Sequence, residues 1–152
     1  MTQNRWAIVA VATVMAAWLG ASLAAQSGEQ FSARLAWVPI SGAERANVAG
    51  KGSATATLSS RTLSITGSFE GLAAPATAAR LHLGIAKGAR GKPISDLIVT
   101  KATSGSISGS VNLNAEQVEG LRQGRLYVQV HSEKGVAPDG SNLWGWFLKS
   151  AN

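Results

Sequence analysis

Apolar and polar side chains alternate along most of the chain that follows residue 30. Phe31, Ala33 and Leu35, for example, alternate with Ser32 and Arg34. A period of two places every second side chain on the same face of a strand, so each such segment is predicted to be a half-buried β-strand. The predicted strands lie at residues 31–37, 53–58, 62–69, 79–83, 97–99, 106–113, 126–131 and 142–149. Short strands at this spacing predict an all-β fold, an antiparallel β-sandwich with Greek-key-like connections.

One segment departs from this alternation and predicts a short helix. Asn114 is a favourable N-cap residue, and Gln117, three residues later, completes the pattern of a capping box. Val118 and Leu121 then place two apolar side chains on one helical face, and Gly124 provides a terminator. The sequence therefore predicts one helix of about two turns in an otherwise β-sheet chain.

The N-terminal segment predicts export. Residues 6–25 carry no charged side chain and follow Arg5, the one charged residue among the first five. A basic start, an apolar stretch and small residues such as Ala24 at its end are the three parts of a secretory signal peptide. A helix of this length, about 30 Å, is also long enough to cross a bilayer as an uncleaved anchor. Residues 1–25 are therefore predicted to be an apolar helix that serves as signal peptide or membrane anchor, and residues 26–152 a periplasmic or secreted domain.

The composition limits the chemistry that the chain can carry. It contains no Cys, two His and eight acidic residues, which excludes disulfide scaffolds, zinc fingers, thiol nucleophiles and iron–sulfur sites. Charged residues make up 14% of the chain, against about 25% in an average globular protein, which argues against a helical bundle. A serine lies between glycines at residues 105–109, but without the strand-to-helix context of a hydrolase nucleophile. A non-enzymatic module without a cofactor is expected.

The net charge of +6 favours anionic partners, such as an acidic glycan or another anionic component of the cell envelope. Nucleic acid is not expected as a partner, because basic and aromatic residues are not interleaved as a stacking platform requires. The Gly-rich segment 84–93 is predicted to be a flexible basic loop. Its candidate anion-binding residues are Lys87, Gly88, Arg90, Gly91 and Lys92, with the glycine amides as donors.

The last predicted strand carries two tryptophans. Trp144 and Trp146 are two residues apart and therefore lie on the same face, which Leu148 continues. Leu143 and Phe147 lie on the opposite face. A strand that is apolar on both faces is either central in the core or covered by a partner. Trp144, Trp146 and Leu148 are the candidate binding surface for a protein or a glycan, and packing within the core is the alternative.

His82 and His131 are the two imidazoles of the chain, and each lies on the strand face opposite the apolar residues. Neutral imidazole is a common ligand of copper and zinc. A structural zinc site takes four ligands and a catalytic one takes three from the protein. Arg80 also lies two residues from His82 and brings a fixed positive charge. His82 and His131 are candidate metal ligands, and structural hydrogen bonding is the alternative role.

The segment from Leu113 to His131 reads Leu-Asn-Ala-Glu-Gln-Val-Glu-Gly-Leu-Arg-Gln-Gly-Arg-Leu-Tyr-Val-Gln-Val-His. It resembles the chordin-type domain family, called CHRD, which typically shows Leu-Thr-Ala-x-Gln-x-x-x-Leu-x-x-Gly-x-x-Tyr-Val-x-Val-His. The segment at residues 78–84 is similar to the family's Ala-Ala-His-Ile-His-x-Gly. The resemblance extends in order over about Phe31 to Phe147, and it implies an extracytoplasmic β-sandwich without known catalytic activity.

The chain also departs from the family pattern. Arg80 replaces the first His of the family's pair, and Trp144 and Trp146 lie in a segment where the family has Gly-Gly-Glu-Ile-Arg-Gly-Gln. The family's Glu-Val-Pro-Pro is missing around residues 44–48. The sequence therefore predicts an exported, non-enzymatic module that acts through protein or glycan contacts. The alternative is a periplasmic copper- or zinc-binding or redox-associated protein.

Overall fold

The computed structural model describes residues 28–151, so the predicted signal peptide or anchor lies outside the described residues. The strands are β1 (Glu29–Trp37), β2 (Lys51–Ser59), β3 (Thr62–Glu70), β4 (Ala76–Ala86), β5 (Ala89–Val99), β6 (Gly105–Asn112), β7 (Leu126–Val136), β8 (Ser141–Trp146) and β9 (Leu148–Lys149), and helix α1 (Ala115–Arg122) lies between β6 and β7. The predicted antiparallel, mostly β chain with one short helix is confirmed. Within residues 28–151, no helix is long and apolar enough to span a membrane.

The sheet closes on itself, and the predicted two-layer sandwich is wrong in this respect. The strand order is β2-β3-β6-β5-β4-β7-β8-β1, and β1 pairs again with β2, so that eight strands form a closed barrel. Strand β9 follows β8 and, like β8, pairs with β1. The connections from β3 to β4 and from β6 to β7 each pass two intervening strands, as in a Greek key.

The barrel closes because β1 and β5 each change their pairing partner along their length. The first seven residues of β1 pair with β2, whereas its last two pair with β8. In the same way, most of β5 pairs with β4, and its last two residues pair with β6. The alternation of apolar residues defines which side chains point inward but not which strands are neighbours. The sequence pattern therefore could not distinguish a barrel from a sandwich.

Large apolar side chains fill the barrel. The fully buried ones include Phe31, Leu35, Leu63, Ile65, Leu81, Ile107, Leu126, Leu143 and Phe147. Burying each such side chain contributes roughly 1.5–3 kcal/mol to folding. An interior filled with side chains is usual for a small barrel. The candidate functional residues consequently lie on its outside.

Helix α1 packs against β4, β7 and β9. Asn114 Oδ1 accepts a hydrogen bond from the Gln117 amide at 2.9 Å, and Gln117 Oε1 accepts one from the Asn114 amide at 3.0 Å. Val118 and Leu121 are buried, and Gly124 follows the helix with a φ of 70°. The predicted helix and its capping box are confirmed.

The Gly-rich segment predicted as a flexible loop is mostly strand. Strands β4 and β5 extend through it and leave only Lys87 and Gly88 as the turn. Gly91 faces Gly84 across the two strands, and a Cβ atom on Gly91 would lie 1.8 Å from the carbonyl oxygen of Leu83. Glycine at position 91 therefore permits the close approach of two strands, which is a different use from flexibility.

Candidate functional site

The outward side of β5, β4, β7 and β8, called here the outer face, carries most of the candidate residues. It presents Arg80 and His82 on β4, Tyr127, Gln129 and His131 on β7, and Trp144 and Trp146 on β8. The strand register places His82 opposite Tyr127, and Tyr127 opposite Trp146. Alternation along the strands brings these side chains together, since their neighbours in sequence point into the barrel.

Three rings form a row across the outer face. The His82 ring stacks on Tyr127 with 4.8 Å between centroids and an interplanar angle of 19°. Trp146, on the opposite neighbouring strand, lies 4.3 Å from Tyr127. These spacings are close to the ~4.8 Å separation of neighbouring strands, so the row follows from the register.

Trp144 packs beside this row. Its ring lies edge-on to Trp146 at 5.6 Å and to Tyr127 at 5.9 Å. The guanidinium carbon of Arg90 lies 5.5 Å from the centroid of the Trp144 ring, within the range of a cation–π interaction. Both indoles are half-buried. We call the patch of Trp144, Trp146 and Arg90 the tryptophan surface.

Tyr127 supports the tryptophan surface, and the sequence pattern did not single it out. Alternation assigned it to the polar side of β7, yet it is 1% exposed. Its hydroxyl accepts a hydrogen bond from the Gly91 amide at 3.2 Å. The signal that marks it is an aromatic residue at an outward position of the strand next to the two tryptophans.

One basic residue of the hairpin contributes to the same face. Lys87, Gly88 and Lys92 are exposed near its end, and Arg90 extends over the tryptophan surface. The Gly91 amide already donates to the tyrosine hydroxyl, so it is not available to hold an anion. Arg90 thus supplies positive charge beside the indoles, whereas Lys87 lies near Gly124 at the end of helix α1 and Lys92 lies opposite Leu83, which packs against the core. Only part of the predicted set of donors is therefore free and close to the indoles.

His82 is held from the side of the hairpin. Its Nδ1 lies 3.4 Å from the carbonyl oxygen of Gly91, and since a carbonyl only accepts, Nδ1 carries the proton. Its Nε2 is buried and has no hydrogen-bond partner. Burial lowers the pKa of His82, which keeps the ring neutral near neutral pH.

His131 is held from the opposite end of the outer face. Its Nδ1 lies 3.0 Å from the carbonyl oxygen of Asp139, and its Nε2 is buried without a partner. The Asp139 carboxylate accepts hydrogen bonds from the Ser141 amide at 3.1 Å and from its hydroxyl at 2.5 Å. Burial opposes ionisation of Asp139, but these two bonds prevail and lower its pKa. Gln129 donates to the same Ser141 hydroxyl at 2.5 Å.

Strand irregularities lie beside both histidines. The register of β4 against β5 shifts between Leu81 and His82, so that Pro93 lies opposite His82. The register of β7 shifts near His131 against both β4 and β8. Bulges redirect side chains and are frequent next to functional sites. Neither shift is visible in the alternation of the sequence.

Leu148 does not join the tryptophan surface. Phe147 is fully buried, and its amide donates to the Leu126 carbonyl, which ends the outward run after Trp146. Leu148 belongs to β9 and is 44% exposed. A Cβ atom on Gly124 would lie 3.1 Å from Leu148 Cδ2, which places this side chain at the end of helix α1.

A surface cleft of about 390 Å³ lies away from these residues, on β2 and β3. Its walls include Lys51, Ser53, Ser68 and Glu70, and Lys51 and Glu70 form an exposed ion pair at 3.3 Å. An exposed pair of this kind contributes little to binding or stability. The cleft contains neither an imidazole nor an indole, so the outer face remains the candidate site.

The structure limits the predicted metal site to two imidazoles. Among residues 28–151, no three His, Cys, Asp or Glu side chains are grouped closely enough to hold one metal ion. Because zinc takes at least three protein ligands, His82 and His131 alone do not fit a zinc site. What remains is a pair of unpaired imidazole nitrogens on neighbouring strands.

Comparison with known proteins gives one family. The family model of the CHRD domain matches residues 31–140. The matched part includes His82, Tyr127 and His131 and ends before Trp144 and Trp146, so the two indoles lie beyond it. No curated protein matches the chain.

Proposed function

Because the chain belongs to the CHRD domain family, we propose that it is an exported, non-enzymatic binding module whose ligand is an acidic glycan. The observation that carries this proposal is the tryptophan surface, in which two half-buried indoles lie beside a guanidinium group. A pyranose ring packs its apolar C–H face on the indoles, and a carboxylate of the glycan binds Arg90.

The packing of the indoles supports a role as anchors. Trp146 lies against buried Tyr127, and Trp144 is wedged against both rings, so neither indole has to be ordered when a ligand binds. Side chains that are rigid before binding lose little conformational entropy on association. Half-buried aromatic residues with such support are frequent energetic centres of binding surfaces.

The charge around the indoles supports an acidic ligand. Arg90 lies over Trp144, and its exposed guanidinium can pair with a carboxylate. Arginine binds carboxylates with two parallel hydrogen bonds, and the net charge of +6 attracts anions over longer distances. A neutral glycan would use the indoles but not the hairpin.

The surroundings of the imidazoles support a non-enzymatic role. Nucleophilic catalysis requires a base bonded to a hydroxyl or thiol group. In the described part of the chain, the hydrogen bonds of His82 and His131 go to backbone carbonyls. The site therefore lacks the contact through which an imidazole activates a nucleophile.

Export is proposed from the sequence of residues 1–25, which has the basic start and apolar stretch of a secretory signal. Cell fractionation tests it directly. We expect the full chain outside the cytoplasm, and a chain that lacks residues 1–25 inside it. Equal distribution of the two chains would contradict export.

Calorimetric titration of the purified protein with an alginate hexamer tests the binding function. Saturable binding is expected, weaker at high salt because screening reduces the attraction of exposed charges, and cellohexaose of equal length is expected to bind more weakly. Trp144→Gln/Trp146→Gln should weaken binding at least tenfold. Trp37→Gln is the matched control, since Trp37 is 43% exposed and bonded to the Gly50 carbonyl, apart from the tryptophan surface.

Two results would contradict parts of this proposal. Unchanged affinity of the double variant, with a melting temperature close to that of the wild type, would place the glycan elsewhere. Capture of an envelope protein by the wild type but not by the double variant, without binding of the hexamer, would mean that the surface recognises protein. A thermal melt of each variant shows whether it is still folded, so that a loss of binding can be distinguished from a loss of folding.

A further inference from the structure

One end of the barrel combines basic and exposed apolar side chains. Strand β1 begins at this end, and helix α1 packs there against β4, β7 and β9. The Gly84 amide, near the end of β4, donates a hydrogen bond at 2.8 Å to the carbonyl of Arg125, which follows the helix. The β4–β5 turn is thereby held beside the helix. We call this end of the barrel the helix end, and the end at which β1 finishes the far end.

Two aliphatic side chains of the helix end face solvent. Ile85, next to the β4–β5 turn, is 79% exposed, and Leu148 on β9 is 44% exposed. Lys87 lies beside Leu148, since a Cβ atom on Gly124 would lie 3.7 Å from Lys87 Cδ and 3.1 Å from Leu148 Cδ2. A lysine whose stem lies along apolar surface keeps its ammonium group in a polar environment. Apolar side chains beside basic ones are typical of surfaces that contact lipid headgroups.

Charge is distributed unevenly between the two ends of the barrel. At the helix end, residues 84–92, 122–125 and 146–149 contain six Lys or Arg residues and no acidic one, and Arg61 adds a seventh base. The acidic residues of this end are Glu29, Glu116 and Glu119. The far end is balanced, with Lys or Arg at positions 45, 51, 101 and 134 and Asp or Glu at positions 44, 70, 133 and 139. The helix end is therefore the positive end of the molecule, and it attracts anionic partners.

Two lysines of the helix end are available to an external anion. Arg122 and Lys149 both contact Glu29, at 2.5 Å and 3.7 Å. Within residues 28–151, neither Lys87 nor Lys92 forms an ion pair, and both side chains are exposed. Basic residues of this kind are attracted to the negative surface potential of anionic membranes.

The chain enters the barrel at the helix end. Gly28 precedes β1 and lies three residues after the apolar segment 6–25, which the sequence predicts to be a signal peptide or an anchor. Three residues span at most about 11 Å when fully extended. A membrane anchor at residues 6–25 would therefore hold the helix end, and not the far end, next to the bilayer surface.

We propose that the helix end docks on an anionic lipid bilayer, with Ile85 among the headgroups and Lys87 and Lys92 paired with lipid phosphates. The excess of positive charge, the exposed aliphatic side chains and the position at which the chain enters the barrel all favour this partner. An apolar anchor and a basic surface together attach a protein to a membrane more firmly than either does alone. The proposal goes beyond the glycan function, since it uses neither indole of the tryptophan surface and does not depend on Arg90.

Fluorescence of the full chain in lipid nanodiscs tests this proposal. The chain contains no Cys, so Ile85→Cys provides a unique site for an environment-sensitive nitrobenzoxadiazole label. In nanodiscs of phosphatidylglycerol and phosphatidylcholine, we expect blue-shifted emission and quenching by brominated lipid. In nanodiscs of phosphatidylcholine alone the label should remain in water. High salt should reduce the quenching in anionic nanodiscs, because it screens exposed charges.

Ile98→Cys is the matched control for the position of the label. Ile98 is also an exposed isoleucine, at 74%, but it pairs with Ser108 where β5 approaches the far end. A label at residue 98 should therefore remain in water in both kinds of nanodisc.

Reversal of two charges in the Ile85→Cys chain tests the contribution of the lysines. Lys87→Glu/Lys92→Glu should lower the ratio of docked to undocked domain at least about tenfold, because each basic residue near an anionic surface adds to the attraction. Lys101→Glu/Lys134→Glu makes the same change in net charge at the far end and should leave the quenching close to that of the parent chain. Equal effects of the two reversals would contradict the pairing of Lys87 and Lys92 with lipid.

Three results would overturn the proposal. They are a label at residue 85 that remains in water in anionic nanodiscs, equal responses of the labels at residues 85 and 98, and equal quenching in anionic and neutral nanodiscs. All three are measured on chains that retain their lysines, so they decide the question even where a charge-reversed variant fails to fold. A blue shift without lipid that increases with protein concentration would instead assign the helix end to a second copy of the chain.

Discussion

Tyr127 is the side chain on which the arrangement of the outer face depends. It points away from the barrel, yet neighbouring rings at 4.3 Å and 4.8 Å cover it almost completely. The common face of Trp144 and Trp146 could be predicted, because alternation within one strand is a local property. The burial of Tyr127 could not, because it depends on side chains from two other strands.

Gly91→Ala is expected to destabilise the protein by at least about 2 kcal/mol, because its Cβ atom would overlap the backbone and force β4 and β5 apart. The closest atom, the Leu83 carbonyl oxygen, would be 1.8 Å away. Urea unfolding measures the change. Gly42→Ala is the control, since no atom lies within 4 Å of its added Cβ, and it should alter stability by less than about 0.5 kcal/mol. Equal stability of the two variants would show that the strands do not require glycine at position 91.

The buried state of His82 predicts a pH dependence of stability. Burial lowers its pKa and outweighs the Gly91 carbonyl, which raises it, while His131 and Arg80 lower the pKa and Asp139 raises it. The unfolded chain takes up a proton as the pH falls below about 6.5, whereas the folded chain resists it until its own lower pKa. Stability should therefore be full above that range and fall with decreasing pH, by at most about 1.4 kcal/mol per pH unit for this one proton.

His82→Asn removes this titration and supplies the comparison. Denaturant unfolding between pH 5 and 8 should give a shallower loss of stability for the variant than for the wild type. Parallel curves for the two proteins would contradict the assignment of the buried, neutral imidazole.

Secondary-structure elements could be predicted where the sequence features that specify them lie within a few neighbouring residues. The capping box at Asn114 and Gln117 predicted the beginning of helix α1, because an N-cap depends on residues within one turn. The irregular pairing beside His82 and His131 and the break between β8 and β9 were not predicted. A bulge arises from the register of two strands that are distant in sequence, and no pattern within either strand specifies it.

Asn114→Ala should reduce the free energy of unfolding by about 1 kcal/mol, because the helix loses the acceptor for its first free amides. The measurement is chemical denaturation monitored by circular dichroism. Asn114→Asp keeps an acceptor oxygen at the helix N-terminus and should remain close to the wild type. A loss in Asn114→Asp as large as in Asn114→Ala would contradict a capping role for this side chain.

The candidate functional residues of the molecule lie on the outside of a filled barrel. The inward faces of the strands could be predicted from alternation, and the family from the segment that ends at His131. Closure could not, because it depends on the last two residues of β1 and of β5 changing partners. The direct pairing of β5 with β4, β4 with β7 and β7 with β8 brings Arg90, the tyrosine and the two indoles onto one curved face, and their proximity is what supports a binding function.

NMR spectroscopy of the indole N–H groups, during a titration with the alginate hexamer, tests most directly whether ligand binds at the tryptophan surface. The account predicts saturable shifts of the Trp144 and Trp146 signals, with the Trp37 signal unchanged as the internal reference. Assignments follow from single Trp→Gln variants. Binding that moves only Trp37, or that saturates without moving Trp144 or Trp146, would contradict the account.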